Sequence, residues 1–414
     1  MSIFMGPRRP ILREKEVLLY DTKTRRKEKF EAIREPVTLY VCGITPYDTT
    51  HLGHAFTYVF YDTLIRYLRY QGHETRYVQN VTDVDDDIMR KSRELGVRWD
   101  ELANEQTHIF QQDMKALNIL APDVYPHASQ EIDKIIEMNQ TLVDKGYAYQ
   151  SDGNLYFNVD RYPEYGQLSH IRRVAMLPIA NERGNNPDDP FKRDPLDFVL
   201  WQQSKPDEPA WESPWGAGRP GWHIECSAMS LHYLGDTVDI HGGGEDLIFP
   251  HHESEIAQSV NFTGVHPFVR HWVHTAMVYM GGQKMSKSLG NLVMVRKLRK
   301  QYDPAAIRLA LLSHIHTERW SYSEQELIEA AKLLEILRQA AEGEVEPLLA
   351  PVREMEDGGL FLEAMDDDLD TPRAVGVLSE MAQNIRFGGK EPGMTNPQCR
   401  SLLRELVAVL GVKL

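Results

Sequence analysis

A passage from strand to helix near the N-terminus constrains the fold of this chain more than any other feature. The apolar run at 38–42 predicts a buried strand, and the amphipathic run at 55–70 predicts the helix that follows it. The same alternation recurs along the chain. Predicted strands are residues 37–42, 74–79 and 237–240, and predicted helices are residues 55–70, 85–95 and 227–234. We therefore predict an α/β fold built on a parallel, doubly wound sheet.

The turn between the first strand and its helix has the sequence HLGH, from His51 to His54. Gly53 lies between the two imidazoles, and a glycine there lets a polyphosphate approach the backbone and the helix N-terminus. Cys42 precedes His51 by nine residues and is a soft ligand for a metal ion. The segment therefore combines a predicted anion site with a predicted metal ligand.

A second motif, KMSKS, occupies residues 284–288. Its two lysines, Lys284 and Lys287, are three positions apart on a glycine-flanked loop. Such a loop can close over a triphosphate, and its two ammonium groups can neutralise the charge that develops there. Together, HLGH and KMSKS indicate a nucleotide site.

The two motifs, in this order, resemble the ATP signatures of class I aminoacyl-tRNA synthetases. Three further segments resemble the cysteine-activating branch of that family: PGWHIECSAM at 220–229, DIHGGGEDLIFPHHESE at 239–255 and NVTDVDD at 80–86. The resemblance covers about residues 15–390. It implies a Rossmann-type domain that activates cysteine as its adenylate, with ATP and Mg²⁺ as substrate.

The resemblance also predicts how the chain is divided. Residues 1–99 are expected to form the first half of the catalytic domain, and 195–295 its second half with the KMSKS loop. Residues 100–194 are expected to form a connective insertion, helical over 100–146 and loop-rich over 152–194. A C-terminal helical domain is expected over 296–414, with helices at 304–313, 323–342 and 398–410.

The same resemblance implies that Cys42, Cys226 and His251 bind one zinc ion per chain. Zinc favours thiolate and imidazole ligands, and three of them leave one tetrahedral position for a substrate. In a cysteine-activating enzyme the substrate thiol would fill that position, which would distinguish cysteine from serine. Glu255 is the alternative fourth ligand, because a glutamate has this role in the tRNA synthetases of the branch.

Roles of the remaining site residues follow from the resemblance as well. His51 and His54 are expected to donate hydrogen bonds to the phosphates, and Lys284 and Lys287 to stabilise the leaving pyrophosphate. The residues expected around the amino acid, the nucleotide or the metal ligands are Gly43, Ile44, Thr45, Thr57, Asn80, Val81, Thr82, Trp222, His223, Gly244, Glu245, Asp246, His252 and Val278.

Composition limits the compartment and the partners. Only three cysteines occur in 414 residues, which favours a reducing compartment over a disulfide framework. Cys399 carries no motif and is expected in a polar C-terminal loop. Without an apolar stretch of membrane-spanning length or a signal peptide, a cytoplasmic location is predicted. The net charge of −15 does not favour tight nucleic-acid binding, and the basic clusters at 23–27 and 296–300 are expected to be solvated.

The acceptor of the cysteinyl group separates two kinds of relative. Cysteinyl-tRNA synthetases use the 3′ end of a tRNA, whereas the mycothiol-pathway ligases use the amine of glucosaminyl-inositol. GITPYD at 43–48 and the ERG-type segment 182–197 resemble the ligases, and only 130 residues follow Lys284. Asn185 and Asn186 depart from the Gly-Asp of the ligase motif, and the run 255–259 resembles the tRNA synthetases. We predict a small sugar amine as acceptor, with tRNA as the alternative.

A protein of another class, a non-catalytic paralogue that binds cysteine or ATP, is a further alternative. The complete HLGH and KMSKS motifs and the intact set of thiols and imidazole favour an enzyme instead. The sequence therefore predicts an ATP-dependent, AMP-forming, cysteine-activating ligase.

Overall fold

A parallel β-sheet lies at the centre of the protein, whose computed structural model describes residues 16–47, 50–285, 290–389 and 391–414. The strands are β1 (Leu18–Asp21), β2 (Arg26–Lys29), β3 (Val37–Ile44), β4 (Thr75–Val81), β5 (Ala148–Ser151), β6 (Asn154–Phe157), β7 (Phe198–Gln203), β8 (Gly218–Pro220), β9 (Val238–Gly244), β10 (Val269–Thr275), β11 (Val278–Met280), β12 (Gln283–Lys284) and β13 (Trp320–Tyr322). The helices are α1 (Leu52–Tyr70), α2 (Asp86–Leu95), α3 (Trp99–Ala116), α4 (Ile132–Asp144), α5 (Arg173–Asn181), α6 (Trp222–Leu234), α7 (Glu253–Thr263), α8 (Val295–Leu298), α9 (Pro304–Leu312), α10 (Glu324–Ala341), α11 (Glu356–Asp366), α12 (Thr371–Arg386) and α13 (Asn396–Val409).

The central sheet has the strand order β10-β9-β3-β4, and every neighbouring pair is parallel. Strands β3 and β4 extend the sheet in one direction, and β9 and β10 extend it in the other. The direction of winding therefore reverses between β3 and β9. In open α/β sheets, ligands bind in the crevice outside the carboxyl ends of the strands at such a point. The predicted doubly wound fold is confirmed.

Strand β10 was not among the predicted strands. Its sequence, VRHWVHT, contains two histidines and an arginine, although all of its residues except Arg270 are buried. Strands β3, β4 and β9 correspond to predicted strands. Strand β3 carries the nearly continuous apolar run that a sheet covered on both faces requires, whereas β4 and β9 mix apolar residues with polar residues and glycines.

The insertion is built on a second sheet, which is antiparallel and has the order β5-β6-β7-β8. Helices α3 and α4 lie in the part predicted as helical, but β6 and α5 lie in the part predicted as loop. These strands are short and are separated by turns, so the turn residues dominate the composition. The rings of Phe157 and Phe198 stack across β6 and β7 with centroids 4.9 Å apart. The domain boundaries at 99, 194 and 295 stay predictions.

Helices α9 to α13 form the C-terminal region, and α9, α10 and α13 correspond to the three predicted helices. Helices α11 and α12 were not predicted. The expectation that Cys399 lies in a polar loop was wrong, because it is 2% exposed within α13. A capping box between Thr395 and Gln398 begins that helix earlier than predicted. Among the described residues, no helix combines the length and the apolar character needed to cross a bilayer.

A buried ion pair joins α1 to the C-terminal region. Arg308 of α9 is 0% exposed, and its guanidinium donates to Asp62 of α1 and to the carbonyl oxygens of Leu410 and Leu117. Asp62 also accepts from the backbone N–H of Leu120 at 2.7 Å. Arg66, whose side chain is 20% exposed, also donates to Asp62 at 2.8 Å. Arg308 is the fully buried partner of the two, and removing it weakens the compensation of a buried charge.

We expect the Arg308→Leu substitution to lower the free energy of unfolding by about 3 kcal/mol, because it leaves the buried Asp62 carboxylate with Arg66 as its remaining charged partner and removes the donor to two carbonyl oxygens. Urea denaturation followed by circular dichroism measures this change. The matched control is Arg90→Leu, which removes an arginine with a 56% exposed side chain from its pairs with Asp87 and Glu94 and should cost less than about 1 kcal/mol. Equal losses in the two variants would contradict the assignment.

Candidate active site

The HLGH turn begins helix α1 at the carboxyl edge of the central sheet. His51 is the N-cap of α1, and its Nδ1 accepts a hydrogen bond from the backbone N–H of His54 at 3.3 Å. The two imidazole rings stack with centroids 3.7 Å apart. A β carbon on Gly53 would lie 3.1 Å from the His51 ring. The glycine therefore gives the His51 ring room to fold back over the helix N-terminus, where an anion is favoured.

Residues that enter HLGH pair with residues that follow the KMSKS loop. The backbone N–H of Leu52 donates to the Val293 carbonyl at 2.8 Å. The backbone N–H of Val295 donates to the Thr50 carbonyl at 3.0 Å. The two motifs predicted to bind ATP are thus joined through the backbone.

The side chains of the two KMSKS lysines lie outside the part of the chain that the structure describes. Lys287 lies outside the described residues, as does the side chain of Lys284, whose backbone ends β12. Their expected contacts with pyrophosphate stay predictions.

A cluster of buried metal-ligating side chains lies beside the carboxyl end of β3. Ligand atoms of Cys42, His251, His252 and Glu255 all lie within 4.8 Å of one another. His251 Nε2 is 3.0 Å from Glu255 Oε1, and Cys42 Sγ is 3.2 Å from His252 Nε2. Cys226 Sγ is 3.8 Å from Cys42 Sγ. The structure therefore brings together Cys42, Cys226 and His251 with the alternative ligand Glu255, and adds His252.

The charges of this cluster compensate one another. Burial alone would raise the pKa of the Cys226 thiol, but the hydrogen bond with Cys42 and the nearby His251 lower it to about 6. Burial acts to lower the pKa of His251, whereas Cys226 and Glu255 raise it to about 10. Despite its burial, Glu255 has a pKa well below the usual range because His241 and His251 lie beside it. The cluster therefore favours a thiolate and a carboxylate next to a cation.

Two further histidines at this site, His241 and His274, were not predicted from the sequence. His274 Nε2 lies 2.7 Å from His252 Nδ1, and its own Nδ1 lies 2.7 Å from the hydroxyl of Thr22. His241 Nε2 lies 3.3 Å from Glu255 Oε2. Both stand in buried strands, where a single histidine resembles an ordinary core residue. The signal available in the sequence was the recurrence of histidine in two adjacent strands, β9 and β10.

Two residues of α6 contact His251. The Trp222 ring stacks on the His251 ring with centroids 4.3 Å apart and an interplanar angle of 26°. His223 Nδ1 lies 2.9 Å from His251 Nδ1. The structure thus brings Trp222 and His223 beside the predicted metal ligands.

The ends of β3 and β4 are joined by hydrogen bonds among residues predicted to border the adenylate. Gly43 N–H donates to Asn80 Oδ1 at 2.8 Å, and Asn80 Nδ2 donates to Thr82 Oγ1 at 3.1 Å. Thr82 N–H donates to the Ile44 carbonyl at 3.0 Å, beside Val81 in the strand register.

Other predicted nucleotide and amino-acid contacts lie along the same edge of the sheet. Thr45 follows β3, and the hydroxyl of Thr57 on α1 lies 2.7 Å from that of Thr275 at the end of β10. The remaining predicted residues are Gly244, which ends β9, Glu245 and Asp246, which follow it, and Val278, which begins β11. Glu245 forms an ion pair of 2.8 Å with Arg319. Their ligand contacts stay predictions.

The ERG-type segment of the insertion contacts the turn that leads to the cluster. Arg183 donates to the carbonyl oxygens of Asp246 and Phe249. Lys192 Nζ donates to Asn185 Oδ1 at 2.6 Å, and the lysine charge contributes to lowering the pKa of the buried His223, an effect led by burial itself. The segment 182–197 therefore borders the site.

Comparison with known proteins assigns the family. A model described as the tRNA synthetases class I (C) catalytic domain matches residues 29–332, and one described as the DALR domain matches residues 360–414. The chain belongs to the class I aminoacyl-tRNA synthetase family. Its relatives place it in the cysteine-activating branch, and it is an ATP-dependent ligase. The predicted family is confirmed.

Two relatives carry names that give different acceptors for the cysteinyl group. A cysteine--tRNA ligase of Dehalococcoides mccartyi is 44% identical over 405 residues, covering 96% of this chain and 86% of the relative. An L-cysteine:1D-myo-inositol 2-amino-2-deoxy-alpha-D-glucopyranoside ligase of Frankia casuarinae is 48% identical over 371 residues, covering 88% of this chain and 77% of the relative. Both names describe enzymes that use cysteine.

Among solved structures, a methionyl-tRNA synthetase of Mycobacterium tuberculosis with bound methionyl-adenylate has a TM-score of 0.62 to this chain. Its sequence identity is 17%, and the match covers 91% of this chain and 90% of that one. This similarity concerns the fold alone.

We expect the purified protein to hold about one divalent metal ion per chain, and Cys42→Ala and Cys226→Ala to lose most of it, because each substitution removes a thiolate donor. Inductively coupled plasma mass spectrometry on dialysed protein measures the content. Cys399→Ala, which removes the buried thiol of α13, is the matched control and should keep the metal. Full metal content in the Cys42 and Cys226 variants would contradict the assignment.

Proposed function

We propose that this ligase forms cysteinyl-adenylate from L-cysteine and ATP and then transfers the cysteinyl group to the amine of a small sugar of the glucosaminyl-inositol type. Pyrophosphate and AMP are the by-products. The observation that carries the proposal is the buried cluster of Cys42, Cys226, His251 and Glu255, which stands at the same sheet edge as the HLGH turn. A site for a thiol and a site for a polyphosphate therefore lie side by side.

Zinc is the metal that we propose for the cluster. Two thiols, an imidazole and a carboxylate are donors that zinc accepts, and the depressed pKa values of Cys226 and Glu255 favour their anionic, metal-binding forms. When bound, the ion would supply a Lewis-acid position that prefers the substrate thiolate to the hydroxyl of serine. His223 contacts the His251 nitrogen that faces away from Glu255, which helps to hold the orientation of that ring.

The first reaction step requires positioning more than covalent catalysis. The cysteine carboxylate attacks the α-phosphorus of ATP in line, and the bond to the pyrophosphate oxygen breaks. His51, His54 and the N-terminus of α1 would contact the phosphate oxygens. Lys284, Lys287 and Mg²⁺ would neutralise the charge that develops on the leaving group. Trp222, stacked on His251, would pack beside the amino acid.

Two observations support a small amine as acceptor. The segment 182–197, which resembles the ligase motif, borders the site through the contacts of Arg183 with the turn before His251. The C-terminal helices are acidic as well: residues 324–414 contain 18 aspartates and glutamates but only nine lysines and arginines. Because tRNA is a polyanion that is bound largely through its phosphates, this charge disfavours contact with it.

A tRNA acceptor is the second candidate. The match of the DALR domain model to residues 360–414 favours it, as does the cysteine--tRNA ligase whose similarity extends over 96% of this chain. The two candidates share the first step and differ only in the nucleophile that attacks the adenylate.

For the first step, we expect Lys287→Ala to slow cysteine-dependent exchange of pyrophosphate into ATP about a hundredfold, because charge on the leaving group is no longer neutralised. The KM for cysteine should change less than about twofold, since the lysine is expected to contact the nucleotide alone. Lys297→Ala, which removes an exposed lysine of α8, is the control. Unchanged exchange in the Lys287 variant would refute the role of the lysine.

For the second step, we expect the wild-type protein with cysteine and ATP to cysteinylate glucosaminyl-inositol and to leave tRNA uncharged. Mass spectrometry of the sugar product and acid-gel analysis of radiolabelled tRNA measure the two transfers in parallel. Arg183→Ala should reduce transfer to the sugar more than pyrophosphate exchange, because it detaches the segment that borders the site. Charging of tRNA alone would establish the second candidate and reject the first.

A further inference from the structure

An ion pair between a buried aspartate and a partly exposed arginine lies close to HLGH and is not used in the chemistry described above. Asp113 of α3 is 0% exposed, and its Oδ1 lies 3.1 Å from Nε of Arg299, the residue that follows α8. Helix α3 packs on α1 through Phe110 and Tyr58, whose ring centroids are 5.2 Å apart. The carboxylate of Asp113 is therefore held by a helix that packs directly against the helix begun by HLGH.

Three groups from two chain segments act on this carboxylate. Burial raises the pKa of Asp113, whereas Arg299, Thr50 and Arg296 act in the opposite direction. Thr50 immediately precedes the HLGH turn, and both arginines follow the KMSKS loop. Asp113 therefore interacts with the same two segments that the backbone bonds of Leu52 and Val295 join.

The location of this pair indicates a role in alignment. An ion pair with one buried partner adds little net stability compared with apolar packing, and the best-attested use of such pairs is to specify one register. The bridge between residues 50–52 and 293–295 is short, so the backbone alone restrains its angle weakly. The ion pair between Asp113 and Arg299 connects this bridge to α3, so a third structural element restrains its position. Misplacement by about 1 Å is enough to cost two orders of magnitude in an in-line displacement.

We propose that Asp113 is a positioning residue for adenylate formation, which holds residues 293–299 against residues 50–52 through Arg299 and thereby orients the HLGH turn toward ATP. Asp113 itself contacts no substrate. The inference rests on the ATP-dependent activation of cysteine and is independent of the acceptor that takes the cysteinyl group.

The test is Asp113→Asn, which keeps the shape of the side chain and removes its charge. Pyrophosphate exchange is measured with ATP varied at saturating cysteine, and then with cysteine varied at saturating ATP. We expect kcat/KM for ATP to fall about tenfold, the KM for cysteine to change less than about twofold, and Tm to fall by no more than a few degrees. The matched control is Asp100→Asn on the same helix, which removes a partly exposed carboxylate paired with Arg98.

Arg299→Gln and the double variant complete the test, and the part-exposed arginine also provides the test if Asp113→Asn does not fold. Arg299→Gln should reproduce the selective loss for ATP. The double variant should be no worse than either single one, because both substitutions break one contact. Wild-type kinetics in Asp113→Asn, equal losses for ATP and cysteine with a large fall in Tm, or fully additive losses would each overturn the proposal. Absence of exchange in the wild type would instead reject the proposed function.

Discussion

The close approach of backbones at the carboxyl edge of the parallel sheet is the constraint on which the site depends. A β carbon on Gly43 would overlap the carbonyl of Asn80, and one on Gly242 would overlap the carbonyl of Val273. Neighbouring strands therefore come together there without intervening side chains. The register of β3 against β4 shifts at this point, between Val41 and Ile44. Cys42 lies within this shift, and its thiol lies 3.8 Å from His241 of β9 and 3.8 Å from Cys226 of α6.

The electrostatics of the cluster explain why so many ionisable groups tolerate complete burial. His251 is balanced by Cys226 and Glu255, and Glu255 is in turn flanked by His241. Charges that are taken out of water must be paired, otherwise they lose more solvation than the fold can compensate. The donor set that this balance maintains is the one on which the proposed zinc site rests. Removing any one of these groups would therefore change the pKa values of the others.

The sequence predicted the parts of this protein that have strong local signals. Cys42, His51 and His251 lie in distinctive motifs, and β3 and α1 have clear periodicity. The histidines of β9 and β10 were missed because the role of His241 or His274 arises only when the strands pair. Strand β6 and helix α5 were missed because short elements between turns leave a composition that resembles loop. Asp113 was not predicted as a site residue, because it lies on an amphipathic helix and its contact with Arg299 joins residues that are 186 positions apart.

The dispersal of the cluster along the chain has a consequence for how the protein matures. Cys42 and Cys226 are 184 residues apart, and the whole insertion lies between them. Contacts of such long range form late, after loop closure has been achieved. A growing chain that has folded only its first parallel strands exposes one thiol and no chelating site. Under the proposed metal binding, acquisition of the ion would therefore be coupled to the docking of β9 beside β3, and only molecules whose two half-sheets have joined would capture it.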